Sequence, residues 1–249
     1  MKDQRIIFKK DNCLHVFRYG KTTNKKIVNE NEKIVQSYTF SIDQLNYVID
    51  SIIYNTARSF KEFFSLDHNN CIDCPFSANT SGKVGLCYTH KPNQYKGFIS
   101  MLKSIAKEIN YHTNNIDQYN NNHLVKILLM SNNSYVRFGT YGEPSKHPFE
   151  LVQEITKVAK NWTGYTHQFT KHTEFAPFFM ASVHSEAEAQ KAKNDYNYRS
   201  FIAHDGKLTI NGVQCPASKE SGFKSTCALC SLCSGNNGKG KKDVKINVH

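Results

Sequence analysis

The chain has 249 residues, 32 Lys+Arg against 21 Asp+Glu, a formal charge of +11 and a mean hydropathy of −0.56. That length suits one large domain, or one domain with an appendage, around a buried core. With 39% apolar and 12% aromatic residues, disorder throughout is excluded. No apolar run approaches the roughly 20 residues that span a bilayer, and the start, Met1-Lys-Asp-Gln-Arg-Ile-Ile-Phe, has no apolar h-region. The expectation is therefore a cytoplasmic protein with no membrane partner. In that compartment clustered cysteines are metal ligands or redox groups rather than disulfides.

The elements read as follows in chain order. Residues 1–40 alternate apolar and polar groups in short runs broken at Gly20 and Asn24, which predicts a small β-meander or hairpin. Ser41 is an N-cap with Asp43 in the first turn, and Leu45, Val48, Ile52, Ile53, Ala57, Phe60 and Phe64 predict one amphipathic helix over 42–64. A turn-rich stretch over 67–93 holds three cysteines. A second helix over 94–110 is carried by Phe98, Met101, Leu102, Ile105 and Ile109, and the polar stretch 114–122 is a loop. Val125–Met130 is a short apolar run. Tyr135–Tyr141 is a strand ending in Gly142-Glu143-Pro144, and Ser145 caps a helix over 147–161. Strands follow at 163–167 and 178–183, then a short helix capped by Ser185 with acids early and lysines late, as the macrodipole favours. A last strand covers 198–203, and the Gly/Asn/Lys-rich stretch 234–242 reads as a mobile tail.

Strands alternating with helices predict an α/β fold with a parallel sheet, open or part of a (β/α) barrel, with functional residues at the C-terminal strand ends. Three regions follow: the N-terminal β element over 1–40, an α/β core with the first cysteine cluster over 41–205, and a C-terminal cysteine-cluster region with a basic tail over 206–249. The charge sits at the two ends. Residues 1–40 hold nine basic and four acidic side chains, and 207–249 hold seven and two. Only five of the basic residues are Arg (Arg5, Arg18, Arg58, Arg137, Arg199). The Lys-rich ends read either as a surface for nucleic acid or another polyanion, or as solubility plus the codon bias of an AT-rich genome.

Seven of the eight cysteines fall into two groups. Cys13 stands alone before an alternating strand and reads as a small buried apolar residue. Cys227-Ala-Leu-Cys230-Ser-Leu-Cys233 puts three thiols on one tight loop, and Cys215-Pro216 supplies a remote fourth. Two consecutive C-x2-C steps are the core spacing of a [4Fe–4S] binding loop. Zinc is the alternative, since four thiolates bind it tetrahedrally. The first group is Cys71-Ile-Asp-Cys74-Pro followed by Cys87-Tyr88-Thr-His90. Three thiolates leave one corner of a cubane open. Alternatively, His90 completes a Cys3His zinc knuckle.

These motifs, with Gly142-Glu143-Pro144 and Gly-Tyr165-Thr-His167 at strand ends, resemble a family of uncharacterised phage and plasmid iron–sulfur proteins. That family is in turn similar to radical S-adenosylmethionine enzymes. The resemblance covers roughly residues 65–235 and implies a partial or degenerate barrel, and host cytoplasm if the chain is phage-encoded. It implies a cluster on Cys71, Cys74 and Cys87, with Tyr88 as the aromatic residue after the last of them. Gly142, Glu143 and Pro144 then take the methionine amino group of S-adenosylmethionine, and Cys215, Cys227, Cys230 and Cys233 hold an auxiliary cluster. The spacing C-x2-C-x12-C departs from the family's C-x3-C-x2-C. Tyr165 and His167 face the same mouth as substrate contacts, and Arg137 is placed to pair an anion or a buried acid. The rival reading is a zinc-stabilised nucleic-acid-binding protein without catalysis.

Overall fold

The computed structural model describes residues 4–29, 32–72, 74–204 and 211–247. Three antiparallel strands open the chain: β1 (Gln4–Lys10), β2 (Cys13–Lys21) and β3 (Lys33–Ser41). They are the meander that the alternation predicts. They do not stand apart from the rest. β3 pairs in parallel with β4 (Tyr135–Tyr141), and β4 pairs in parallel with β5 (Asn161–Thr163), giving the order β1-β2-β3-β4-β5.

A second sheet is wholly parallel and runs β6-β7-β8-β10-β9. Its strands are β6 (Tyr165–Thr166), β7 (Met180–Val183), β8 (Ser200–His204), β9 (Val213–Gln214) and β10 (Val244–Asn247). β5 and β6 are separated only by Gly164, whose carbonyl accepts from Met180 N at 3.0 Å, so one stretch of chain serves both sheets. The result is an open, barrel-like α/β array, and among the described residues it does not close.

The helices are α1 (Ile42–Ile53), α2 (Phe60–Ser65), α3 (His68–Cys71), α4 (Ala78–Ser81), α5 (Pro92–Glu108), α6 (Asn121–Ser131), α7 (Phe149–Val158), α8 (Glu186–Tyr196) and α9 (Cys227–Cys230). None among the described residues is long and apolar enough to cross a membrane. Ser41 caps α1 in a reciprocal box with Gln44: Ser41 Oγ accepts from Gln44 N at 3.1 Å, and Gln44 Oε1 accepts from Ser41 N at 3.2 Å. Leu45, Val48 and Ile49 of α1 and Phe98, Leu102 and Ile105 of α5 bury one face each against β2 and β3 in a shared core. On the far side, Val136 and Phe138 of β4 meet Leu151, Val152 and Ile155 of α7 and Ile127 and Met130 of α6. Each of these side chains contributes on the order of 1.5–3 kcal/mol by leaving water.

The helix expected over 42–64 is α1 and α2, broken where Asn55 turns left-handed at φ 50°. The apolar run Val125–Met130 lies in α6, capped by Asn120, whose Oδ1 accepts from Asn122 N at 3.0 Å. Ser145 does not cap α7. It sits in a short turn over 144–146, and both its N–H and its hydroxyl donate to Glu143. The stretch 234–242 is pinned rather than loose: Asn236 N and Asn237 N donate to the carbonyls of Ala176 and Pro177 at 3.0 and 2.9 Å. Beyond it, β10 inserts between β8 and β9. The region boundary expected at 205–206 lies outside the described residues.

Candidate metal centre

All eight cysteines are free thiols. Cys13 is fully buried and donates to the carbonyl of Asn69 at 3.3 Å, in keeping with a small core residue.

The first group is assembled at the C-terminal end of β4. Cys71 closes α3. The residue after it, Ile72, takes φ 53°, which is uncommon for a β-branched residue and turns the chain sharply toward Cys74. Asn70 ties this loop to the strand. Its carbonyl accepts from Glu143 N at 2.7 Å, and its side-chain amide donates to Thr39 O at 3.0 Å. Cys71, Cys74 and Cys87 lie within electrostatic reach of one another and of Asp67 and Glu143. Burial holds every one of the three thiols above the usual value, and Cys74 is pushed up to about 12.

Against that burial, main-chain N–H groups point at sulfur. Cys74 receives Phe76 and Ser77, and Cys87 receives Thr89 and His90. In the second group Cys215 receives Ala217 and Ser218. Cys74-Pro-Phe-Ser77 and Cys215-Pro-Ala-Ser218 are the same turn, closed by Ser77 N on Cys74 O at 3.0 Å and by Ser218 N on Cys215 O at 2.9 Å. N–H groups two and three residues ahead of a sulfur favour its thiolate, the form that binds metal.

The second group packs under β4, β5 and β6. α9 carries Cys227 and Cys230 and is capped by Thr226. Ser231 at φ 50° then turns the chain back to Cys233. Cys215, Cys227 and Cys233 all feel one another and Cys230 electrostatically. Burial raises Cys227 to about 11 and Cys233 further. Arg199 anchors this loop by donating to the carbonyls of Leu232 at 3.0 Å and Gly235 at 2.9 Å, and also to that of Lys242.

Tyr165 and His167 part company. The Tyr165 hydroxyl meets Cys233, with its ring 4.2 Å from that of Phe201, so this residue belongs to the second thiol group. Thr166 and His167 face Glu143. The Glu143 carboxylate is 4% exposed and engaged at both oxygens. Oε1 accepts from Ser145 N at 3.1 Å and Ser145 Oγ at 3.0 Å, and Oε2 accepts from His167 N at 3.1 Å. The Thr166 hydroxyl also donates to it. Burial outweighs these bonds and raises its pKa. Gly142 precedes it at φ 78°, and a Cβ there would lie 2.4 Å from Thr39 O, so only glycine lets β4 pass this close to β3. Pro144 begins the turn over 144–146.

His90 is turned inward. Its ring meets that of Phe64 at 4.1 Å with the planes tilted by 44°, Nδ1 accepts from Gly85 N at 3.2 Å, and Nε2 lies 4.0 Å from Asp67. Burial lowers its pKa to about 4, so the imidazole is neutral, with both nitrogens facing protein partners. Tyr88 is 59% exposed, yet its hydroxyl donates to Thr140 O at 3.3 Å and accepts from Arg137 at 3.3 Å. Burial works against the Arg137 charge. Tyr88, Tyr135, Tyr165 and Cys227 more than offset it, and the pKa stands above its ordinary value.

Among the described residues no three His, Cys, Asp or Glu side chains stand at metal-ligand spacing. The donor chemistry fits a thiolate metal site: three and four reduced thiols, each group gathered by two chain segments, with N–H groups on Cys74, Cys87 and Cys215. To hold a metal the thiols would have to draw closer together. Asn70 and Phe76 border the first thiol group and Arg199 the second, none of them marked by a motif, and His184 meets Phe76 and His167. No protein-family model, curated protein or solved structure matches the chain.

Proposed function

We propose that the chain is an iron–sulfur protein. Cys71, Cys74 and Cys87 form a three-thiolate site, and Cys215, Cys227, Cys230 and Cys233 form a four-thiolate site. The observation that carries this reading is the pair of matching Cys-Pro-x-Ser turns, one in each group, that aim two N–H groups at a sulfur. Thiols this deeply buried are protonated when empty, so the metal displaces protons and the N–H groups take up part of the resulting charge.

When bound, a cluster with one open iron supplies a single electron to a molecule coordinated there. The protein's part is to gather the thiols, keep water out and balance charge, the last through Arg137. In the radical-type form of the reading, Gly142, Glu143 and Pro144 bind the methionine end of S-adenosylmethionine. Glu143 would be the acceptor for the amino group of that molecule, held in place by Ser145 and His167.

Anaerobic purification with iron, zinc and acid-labile sulfide analysis tests the proposal. About four iron and four sulfide per cluster support it. Zinc without sulfide overturns the iron–sulfur reading and favours structural zinc. With dithionite as the reductant, formation of 5′-deoxyadenosine tests the radical form. Formation unchanged in Glu143→Gln would remove Glu143 from the cofactor site.

A further inference from the structure

Two histidines follow adjacent parallel strands at their C-terminal ends, where α/β sheets place their ligands. His167 follows β6 and His184 follows β7. Their Nε2 atoms face each other at 3.4 Å, with the rings within 25° of parallel. At 3.4 Å the contact is at the long end of hydrogen-bond distances. Two metal–nitrogen bonds of about 2.0–2.1 Å meeting at a tetrahedral angle put the nitrogens about 3.3–3.4 Å apart. The observed separation matches that bite.

The surroundings favour a cation. The main-chain N–H of His167 donates to Glu143 Oε2 at 3.1 Å, and that of His184 to Glu188 Oε2 at 2.7 Å, so each histidine has a carboxylate fixed beside it. The carbonyl of Ala203 also lies beside the His184 ring. With Nε2 turned to His167, Nδ1 is the nitrogen left to face the protein. Metal-binding histidines are held in this way by their second nitrogen. Phe76 packs edge-on against both rings, at 4.4 Å from His184 and 6.4 Å from His167, and limits their rotation. Both histidines are only partly buried, so the pair is reachable from solvent.

We propose that His167 and His184 form a two-imidazole seat for one divalent cation of the zinc class. The seat uses no sulfur and does not depend on the thiol groups. Two protein ligands leave two tetrahedral positions for water or for an oxygen or nitrogen donor of a bound molecule.

Cobalt(II) titration of the full chain, with zinc competition, tests this. The wild type binds one equivalent that lacks sulfur-to-cobalt charge-transfer intensity. His184→Gln and His167→Gln each weaken that equivalent by more than the roughly ten- to hundredfold that loss of an outer hydrogen-bonding partner costs, while charge-transfer intensity from the thiols is unchanged. Equal affinity in His184→Gln, or a sulfur band that falls with it, overturns the seat. If a variant fails to fold, long-range ¹H–¹⁵N spectra of wild-type histidines decide. With the thiol groups already saturated, one further equivalent of zinc shifts two Nε2 resonances if the seat exists and shifts neither if it does not. Failure of the thiol reading shows separately, as no charge-transfer band in any variant.

Discussion

Arg137 Nη2 donates to the Tyr88 hydroxyl at 3.3 Å, and this contact links the two thiol groups. Tyr88 follows Cys87 directly, while the Arg137 charge reaches Cys227. A positive charge between two sets of thiolates lowers the cost of ionising both. Arg137→Met is expected to weaken cobalt or zinc binding by the second group about five- to tenfold, a change of about 1 kcal/mol that fits a partly screened charge pair. Tyr88→Phe keeps the charge and is expected to leave that affinity within about twofold. Metal titration of the two variants checks this.

Metal uptake by the thiols is expected to release protons and to strengthen as pH rises. The sign follows from the raised values: with Cys74 near 12 and Cys227 near 11, both are protonated near neutrality and lose a proton on binding. Each released proton makes affinity rise about tenfold per pH unit below the pKa of its thiol. Zinc titrations between pH 6 and 8 with an indicator for released protons measure both effects. An affinity independent of pH would show that the thiols are already ionised.

Gly142→Ala is expected to destabilise the fold by more than about 2–4 kcal/mol. It adds the left-handed backbone penalty of about 1–2 kcal/mol to a collision with Thr39 O. Gly222→Ala is the control. Gly222 has a similar φ of 70° with nothing within 4 Å of the added carbon, so only the backbone penalty applies. Urea unfolding of the two variants separates them.

Arg199→Met is expected to cost about 2–4 kcal/mol, because three main-chain carbonyls lose a charged donor. The effect should be local. Hydrogen exchange across residues 232–243 rises, while α1 and α5 remain protected, and the second thiol group loses metal before the first does.

Much of the local structure is legible in the chain. Ser41 with Gln44 and Ser185 with Glu188 announce α1 and α8, since capping chemistry is local. The 42–64 stretch misleads for a physical reason. Phe60, Phe63 and Phe64 of α2 enter the same core as Leu45 and Val48 of α1, so apolar spacing runs on through the break at Asn55. β10 is invisible because Val244–Asn247 is short and follows a Gly/Lys-rich stretch. Only pairing with β8 and β9 makes it a strand. In the site, the partition of cysteines into three, four and one can be read from spacing. Strand alternation would put Tyr165 and His167 on one face, and they separate because β6 ends at Thr166, while the sulfur that Tyr165 meets lies 68 positions on in the chain. The meeting of His167 with His184 likewise depends on β6 and β7 being neighbours.

Each of the two thiol groups is proposed to hold its own iron–sulfur cluster. The most direct measurement of this is anaerobic iron and sulfide content per chain in the wild type, Cys74→Ser and Cys227→Ser. The account predicts about eight iron in the wild type and about four in each variant, with sulfide falling in step. Loss of all metal in both variants, or zinc in place of iron with no sulfide, would contradict it.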